Sequence, residues 1–267
     1  MHTSDLGSWE EFEEYLKKIS AHWEEARRLS RPVSPYLFRG HADYRWSLST
    51  TLERYLGDQC SLAKYYRIIS AAKPEVETYT GLQWETLPYP DYKKWCQETD
   101  FLNPFHGYEY MVYLRHHGFP SPLLDWTSSP YIAAFFAFSH AVKDTEKVSI
   151  YVYCDSEYKS WVLDEPHVER LGPYLRSHQR HFLQKSDYTI CAVRKGTEWF
   201  YASHETALLK DNPSQEILQK VNIPSTERVR VLSLLDKFNL NDFSLFNSVE
   251  SLMKTIAVRQ FYLFKNV

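Results

Sequence analysis

A segment near the middle of the chain restricts the fold more than any other, because it joins two kinds of element over a short distance. The apolar run Leu123–Trp126 lies between prolines and is typical of a buried strand. Residues 131–141 are apolar nearly all round, which predicts a buried helix. Ser128 or Ser129 supplies an N-cap for this helix, and Pro130 suits its first position. A strand, a hydroxyl-rich turn and a buried helix therefore converge here.

Weaker patterns surround this segment. Apolar residues spaced three and four apart predict an amphipathic helix over residues 9–29, and Ser8 with Glu11 predicts a capping box at its start. Further strands are predicted at Tyr36–Gly40, Val148–Cys154, Tyr188–Val193 and Trp199–Ser203, and helices around Lys64–Ser70, Tyr108–His116, 226–237 and 246–258. No element is predicted in the polar connection from about Thr86 to Asp100. Because no repeat or clear linker interrupts the chain, we expect one α+β domain with flanking helices.

The composition excludes common nucleotide-binding loops. The chain has 20 Tyr, 15 Phe and 8 Trp but only 8 Gly, and those glycines are widely separated. Neither GxGxxG nor GxxxxGK[ST] is present, so a bound nucleotide would not be held by a Rossmann turn or a P-loop. A net charge of −3 also argues against a broad nucleic-acid surface.

The cysteines and the N-terminus favour a reduced, cytoplasmic setting. The four cysteines lie far apart without a CxxC pair, so we expect small core residues and no metal site. The N-terminus is acidic and amphipathic, unlike a signal peptide. No apolar run approaches the roughly 20 residues that span a bilayer.

Three phrases, in order along the chain, resemble the FRG domain, a family named for its Phe-Arg-Gly tripeptide. They begin at Tyr36, with Tyr-Leu-Phe-Arg-Gly-His-Ala-Asp followed by Trp46-Ser-Leu-Ser-Thr-Thr-Leu-Glu-Arg54, at Arg115, with a phrase containing Leu-Leu-Asp-Trp-Thr, and at Arg180. With Leu245-Phe246 they span most of the chain, and the resemblance implies residues 1–35 as an N-terminal helix before an FRG domain at 36–258. Three positions depart from the family pattern: this chain has Arg115 where the family usually has Gln, Pro122 where it has Arg, and Ser186 where it has Gly.

The FRG pattern in turn resembles the ADP-ribosyltransferase fold, which implies a mixed or antiparallel sheet core of that type. Arg39 then ends the first strand, and Thr127-Ser128-Ser129 leads into the second motif. The third motif of that fold is a glutamate on a late strand, where this chain has Gln184. Asp187 and Glu205 are nearby acidic alternatives.

The resemblance implies NAD as substrate and transfer of ADP-ribose to a protein or nucleic acid, in an effector, toxin or defence protein with an antitoxin or regulatory partner. Arg39, Thr127 and Gln184 are the implied catalytic residues. Arg39, Tyr36, Trp126, Thr127 and Ser128 are the implied cofactor-binding residues. These residue types suit NAD, since arginine binds phosphates, hydroxyls orient ribose and aromatic rings stack on nicotinamide.

Other readings of the same residues remain open. The chain is alternatively a non-catalytic module that recognises a nucleotide, a nucleic acid or a protein, or a simple NAD hydrolase. Arg39 is alternatively a structural partner of Asp43 or Asp125, Trp126 a core residue, and Gln184 a strand-pairing amide. His116-His117 is interpreted as a structural pair rather than a base, and a metal shared by His178 and His181 is disfavoured because no third ligand is evident.

Overall fold

An eight-stranded mixed sheet occupies the centre of the part of the protein that is described. The computed structural model describes residues 2–29, 34–57, 60–99, 105–140, 142–155, 164–209 and 216–263. Its strands are β1 (His2–Asp5), β2 (Leu37–His41), β3 (Leu123–Thr127), β4 (Lys147–Asp155), β5 (His167–Arg170), β6 (Ser186–Lys195), β7 (Glu198–Tyr201) and β8 (Glu216–Pro224). The order is β1-β8-β4-β2-β3-β6-β5, with β7 also paired to β6. Only β1 and β8 pair in parallel among these strands.

Eleven α-helices accompany the sheet within the described ranges. They are α1 (Trp9–Arg28), α2 (Thr51–Leu56), α3 (Leu62–Thr80), α4 (Tyr89–Glu98), α5 (Tyr108–His116), α6 (Pro130–Ser139), α7 (Gln179–Leu183), α8 (His204–Leu209), α9 (Arg228–Lys237), α10 (Asp242–Phe246) and α11 (Val249–Val258). The cluster that includes α1, α6 and α9 covers part of the sheet, whereas α3, α4 and α5 pack with β6 and β7. No helix among the described residues is both long and apolar enough to cross a membrane.

The sequence patterns predict the central elements well. The predicted strands at 36–40, 123–126, 148–154, 188–193 and 199–203 correspond to β2, β3, β4, β6 and β7. The connection from about Thr86 contains α4, which the sequence analysis did not predict, while Asp100 and Ala141 lie outside the described residues. Asn247, with a positive φ of 47°, divides the predicted helix at 246–258. At the start of α1, Glu11 accepts from the backbone N–H of Gly7 rather than Ser8, so the predicted capping box is only half formed.

Gly40 allows helix α6 to lie directly on strand β2. A Cβ atom added at Gly40 would stand 1.9 Å from the carbonyl oxygen of Ala133 and 2.7 Å from the nitrogen of Ala137. Both of those atoms belong to the backbone, so they cannot move aside as a flexible side chain would. Glycine is required here by close approach, and the contact fixes α6 beside Arg39.

The four cysteines are buried and form no disulfide, in agreement with the prediction that they are small core residues. Burial raises the pKa of the Cys96 thiol to about 12 and that of Cys154 to about 11. These thiols are therefore protonated at neutral pH and act as small core residues.

Candidate functional site

A cavity of about 800 Å³, here called the Arg39 cavity, lies beside β2 and the end of β3. Its described lining consists of Phe38, Arg39, Gly40, His41, Ala42, Trp46, Ser47, Ser49, Arg54, Asp125, Trp126, Thr127, Phe136, His140, Val142, Gln184 and Ser186. This volume is within the range of small-molecule and cofactor sites, roughly 300–1,000 Å³. Aromatic, hydroxyl and cationic side chains are combined in its wall.

Arg39 is held in place at the wall of this cavity. Its Nη1 donates to the backbone oxygen of Asp125 at 2.7 Å and to the Oδ1 of the same residue at 2.5 Å. Its Nε donates to Nε2 of His41 at 3.2 Å. Arg39 therefore lines the cavity and also forms the ion pair of its structural interpretation, whereas its role in binding NAD stays a prediction. Its partner is Asp125 rather than Asp43, which pairs with Arg45.

Asp125 is bound by a second arginine from helix α5. Arg115 donates through Nη2 to Oδ1 of Asp125, and through Nη1 to Oγ1 of Thr51 at 3.2 Å. Burial alone would raise the pKa of the Asp125 carboxyl, but the charges and hydrogen bonds of Arg115 and Arg39 hold that pKa well below its usual range. Asp125 is therefore a permanent anion and cannot act as a general acid near neutral pH. It is also the only carboxylate among the described residues that line the cavity.

His41 stays neutral beside this ion pair. Burial lowers the pKa of His41 to about 3, and the charge of Arg39 adds to the effect. Its ring packs edge-on against Tyr151, with the centroids 5.0 Å apart. A neutral imidazole that accepts from Arg39 orients the guanidinium without competing with it for Asp125.

Trp126 lines the cavity but is a core residue. It is only 2% exposed, its ring stacks on Tyr153 at 5.3 Å, and its Nε1 donates to Oγ1 of Thr189 at 2.9 Å. Trp46, in contrast, is 48% exposed and lines the same cavity. The available stacking surface is therefore Trp46, which the sequence analysis did not select.

Three neighbouring hydroxyl residues at and after the end of β3 have different contacts. Thr127 lines the cavity and its Oγ1 accepts from the backbone N–H of Ser129 at 3.1 Å. Ser129 is the N-cap of α6, since its Oγ accepts from the N–H of Ile132 at 3.4 Å. Ser128 is exposed and lies outside the cavity lining.

Tyr36 lies outside the cavity lining too. It packs against the apolar cluster that contains α1 and α6, and burial raises the pKa of its phenol to about 12. Phe38 belongs to the same cluster, whereas Leu37 packs against Trp126 and its neighbours, as the alternation of side chains along a strand requires.

Gln184 lines the cavity from a different element than predicted. It is the C-cap of helix α7 and not part of a late strand, so the strand placement was wrong. Its Nε2 donates to the backbone oxygen of Leu245 at 3.1 Å, which ties α7 to α10. Asp187 and Glu205, the acidic alternatives, belong to β6 and α8 and do not line the cavity.

Two of the histidines, His116 and His181, pack against the buried side chain of Tyr188. Nε2 of His116 lies 2.7 Å from the hydroxyl of Tyr188, and Nδ1 of His181 lies 3.3 Å from it. His178 is the N-cap of α7. The described residues contain no group of three or more His, Cys, Asp or Glu side chains that would hold a metal ion.

Sequence reasoning missed Trp46, His41 and Arg54 as lining residues. Trp46 and Arg54 stand in a phrase quoted for its family resemblance, and His41 directly follows Gly40. Resemblance therefore marked the right segments, but only the folded chain shows which of their side chains face the cavity.

Together these features define a mixed-sheet α+β protein with an arginine-containing cavity. The FRG domain family model matches residues 34–146, so this segment of the chain is similar to the FRG domain. The match includes Arg39, Trp46, Arg54, Asp125 and Thr127, and ends before Gln184. No curated protein and no solved structure matches the chain.

Proposed function

We propose that the Arg39 cavity binds NAD and that the protein is an ADP-ribosyltransferase-like enzyme that transfers ADP-ribose to a macromolecular acceptor. The observation that supports this most is that Arg39, Thr127 and Gln184, from three separate parts of the chain, line one cavity. The cavity has the volume for a nucleotide and needs no glycine-rich loop. The proposed acceptor is a protein or nucleic acid of the cytoplasm, and the proposed role is that of an effector, toxin or defence protein with an antitoxin or other regulatory partner.

The wall of the cavity matches the chemical parts of NAD. Arginine side chains suit the diphosphate, because charge-assisted hydrogen bonds to phosphate are stronger than neutral ones. The half-exposed ring of Trp46 suits a base or the nicotinamide, which binds by stacking. The hydroxyls of Thr127 and Ser186, both of which line the cavity, suit a ribose.

In the proposed reaction the bond between the ribose C1′ and the nicotinamide nitrogen breaks. Nicotinamide leaves with the bonding electron pair, and an acceptor nucleophile forms a new bond to C1′ and releases its proton to solvent. Positive charge develops on the ribose during this step. Gln184, which lines the cavity, is the residue proposed to assist at the reacting ribose through its side-chain amide.

Calorimetry and a nicotinamide-release assay test this proposal. We expect the purified protein to bind NAD and to release nicotinamide when cell lysate supplies the acceptor. Thr127→Val, which keeps the side-chain shape but removes the cavity hydroxyl, should lower the rate of release without loss of folding. If the wild-type protein neither binds NAD nor releases nicotinamide with lysate present, the enzyme proposal is wrong.

A non-catalytic binding module is the second candidate, and one observation favours it. Asp125, the single carboxylate of the described lining, is bound by two arginines, and Gln184 stands where a catalytic glutamate is expected. Such a cavity would recognise a nucleotide, nucleic acid or protein without turning it over. Tight NAD binding with no nicotinamide release from lysate would select this candidate, whereas release without labelling of any macromolecule would indicate NAD hydrolysis.

A further inference from the structure

We propose that Arg54 is a second phosphate-binding residue of the Arg39 cavity and that it selects ligands that carry a diphosphate. This inference rests on the proposed function, because it assigns a part of the same cavity. Arg54 belongs to the last turn of α2, whereas Arg39 belongs to β2, so two separate elements bring their guanidinium groups to one cavity.

Arg39 has too few free donors to bind a diphosphate alone. Its Nη1 is used twice by Asp125 and its Nε is used by His41. Only Nη2 has no hydrogen bond to the described part of the chain. A diphosphate offers several acceptor oxygens, so a second cation is needed to bind it in a fixed geometry.

Arg54 has the free edge that Arg39 lacks. Its Nη1 donates to the backbone oxygen of Ser49 at 2.9 Å and to Oγ of the same residue at 3.3 Å, which anchors the guanidinium. No described residue takes a hydrogen bond from its Nε or Nη2. These two nitrogens form one edge of the guanidinium and can donate to two oxygens side by side.

Other arginines of this protein already use the same edge for anions. Nε and Nη2 together bind a carboxylate in three pairs, which are Arg45 with Asp43, Arg170 with Asp187 and Arg259 with Asp236. Arg54 forms no ion pair with a carboxylate of the described residues. Its neighbour Glu53 accepts instead from the backbone N–H of Thr50 at 2.6 Å, as part of the cap of α2.

Positive charge also exceeds negative charge around Arg54. Arg39 and Arg115 pair with Asp125, whereas Arg54 forms no ion pair but lies near the charges of Asp125 and Glu53, so three guanidinium groups face two carboxylates. Burial, and then the charges of Arg39 and Arg115, lower the pKa of Arg54. The negatively charged diphosphate of NAD would complement this excess of positive charge.

Calorimetric titration of Arg54→Gln with NAD, ADP-ribose and adenosine tests the inference. We expect NAD and ADP-ribose to bind about 10- to 100-fold more weakly, the equivalent of one lost charge-assisted hydrogen bond, and adenosine to bind as before. Arg54→Lys keeps the charge but not the two-donor edge, so it should restore part of the affinity. Arg67→Gln removes the same charge from α3 outside the cavity lining and should change nothing.

The outcomes separate this inference from the proposed function. If the wild-type protein binds NAD and Arg54→Gln binds it equally well, the role of Arg54 is wrong while NAD binding stands. If the wild type does not bind NAD, inorganic pyrophosphate becomes the probe, and binding that is lost in Arg54→Gln supports the phosphate site without NAD. If the folded wild type binds none of NAD, ADP-ribose and pyrophosphate, both the proposed NAD binding and the proposed role of Arg54 are wrong.

Discussion

Two aspartates on neighbouring strands bind arginine in different ways. Asp187 on β6 is 3% exposed and receives Nε and Nη2 of Arg170 on one oxygen, at 2.9 and 2.6 Å. Asp125 on β3 is 42% exposed, receives two arginines and lines the cavity. The strands are paired, with Asp125 opposite Tyr188 and Trp126 opposite Asp187.

The difference distinguishes a closed ion pair from one that is open to a cavity. In the Asp187 pair, one carboxylate is neutralised by one arginine, Arg170, and the carboxylate is almost completely buried. The Asp125 cluster contains more arginine than carboxylate and stays partly open to the cavity, so it can accept a further anion. An ion pair alone therefore does not mark a candidate site, whereas an unbalanced one that faces a cavity does.

Asp187→Asn should have the largest effect on stability. The substitution keeps the shape but leaves the charge of Arg170 without a partner in a nearly closed site. We expect the free energy of unfolding to fall by about 3–5 kcal/mol, the range for breaking a buried pair. Urea denaturation at neutral pH measures this change, and the variant that remains folded should bind NAD like the wild type. A loss below about 1 kcal/mol would show that Asp187 is not the structural partner described above.

Asp125→Asn should have a smaller effect on stability, because the carboxylate is partly exposed. We expect a loss of about 1–2 kcal/mol at pH 7, after allowance for solvent screening. The freed Arg39 should then bind ligand less precisely, so NAD affinity should fall in this variant although a negative charge has been removed. Tighter NAD binding by Asp125→Asn would contradict a positioning role for the carboxylate.

The contribution of Asp125 to stability should also depend on pH. The pKa of this carboxyl is lower in the folded protein than in the unfolded chain, where it is about 4. Its contribution is therefore complete above pH 4 and is lost as the pH falls towards the folded pKa. The free energies of unfolding of wild type and Asp125→Asn should differ at pH 7, and this difference should shrink steadily as the pH falls below 4. A difference that stays constant down to pH 3 would mean that the carboxylate is not stabilised by its arginines.

The sequence predicts the centre of this fold better than its edges. Leu123–Trp126 and the apolar helix after it are recognisable because both are buried on nearly every side, so their pattern is local. Strands β1, β5 and β8 lack that signal, because their pairing depends on partners distant in the chain. His2, for example, pairs in parallel with Gln219.

The site could be predicted only in part for a similar reason. Arg39 and Thr127 follow from motifs, because strand ends place them. Trp126 and Trp46 have the same side chain, and only the packing of Trp126 on Tyr153 shows that Trp46 is the one with a free surface. Gln184 was assigned to a strand because the phrase around it leads into β6, whereas the chain first ends a short helix there.

The smallest effects are expected in the turn that follows Asp125 along β3. Ser129 caps α6, so Ser129→Ala should lower the free energy of unfolding by about 1 kcal/mol. Ser128 is exposed, and its backbone N–H rather than its side chain bonds to the oxygen of Lys185 at 3.0 Å. Ser128→Ala should therefore change stability by less than about 0.5 kcal/mol, as is usual for surface substitutions. Paired urea denaturation curves measure both changes, and the reverse order would mean that the cap of α6 is Ser128.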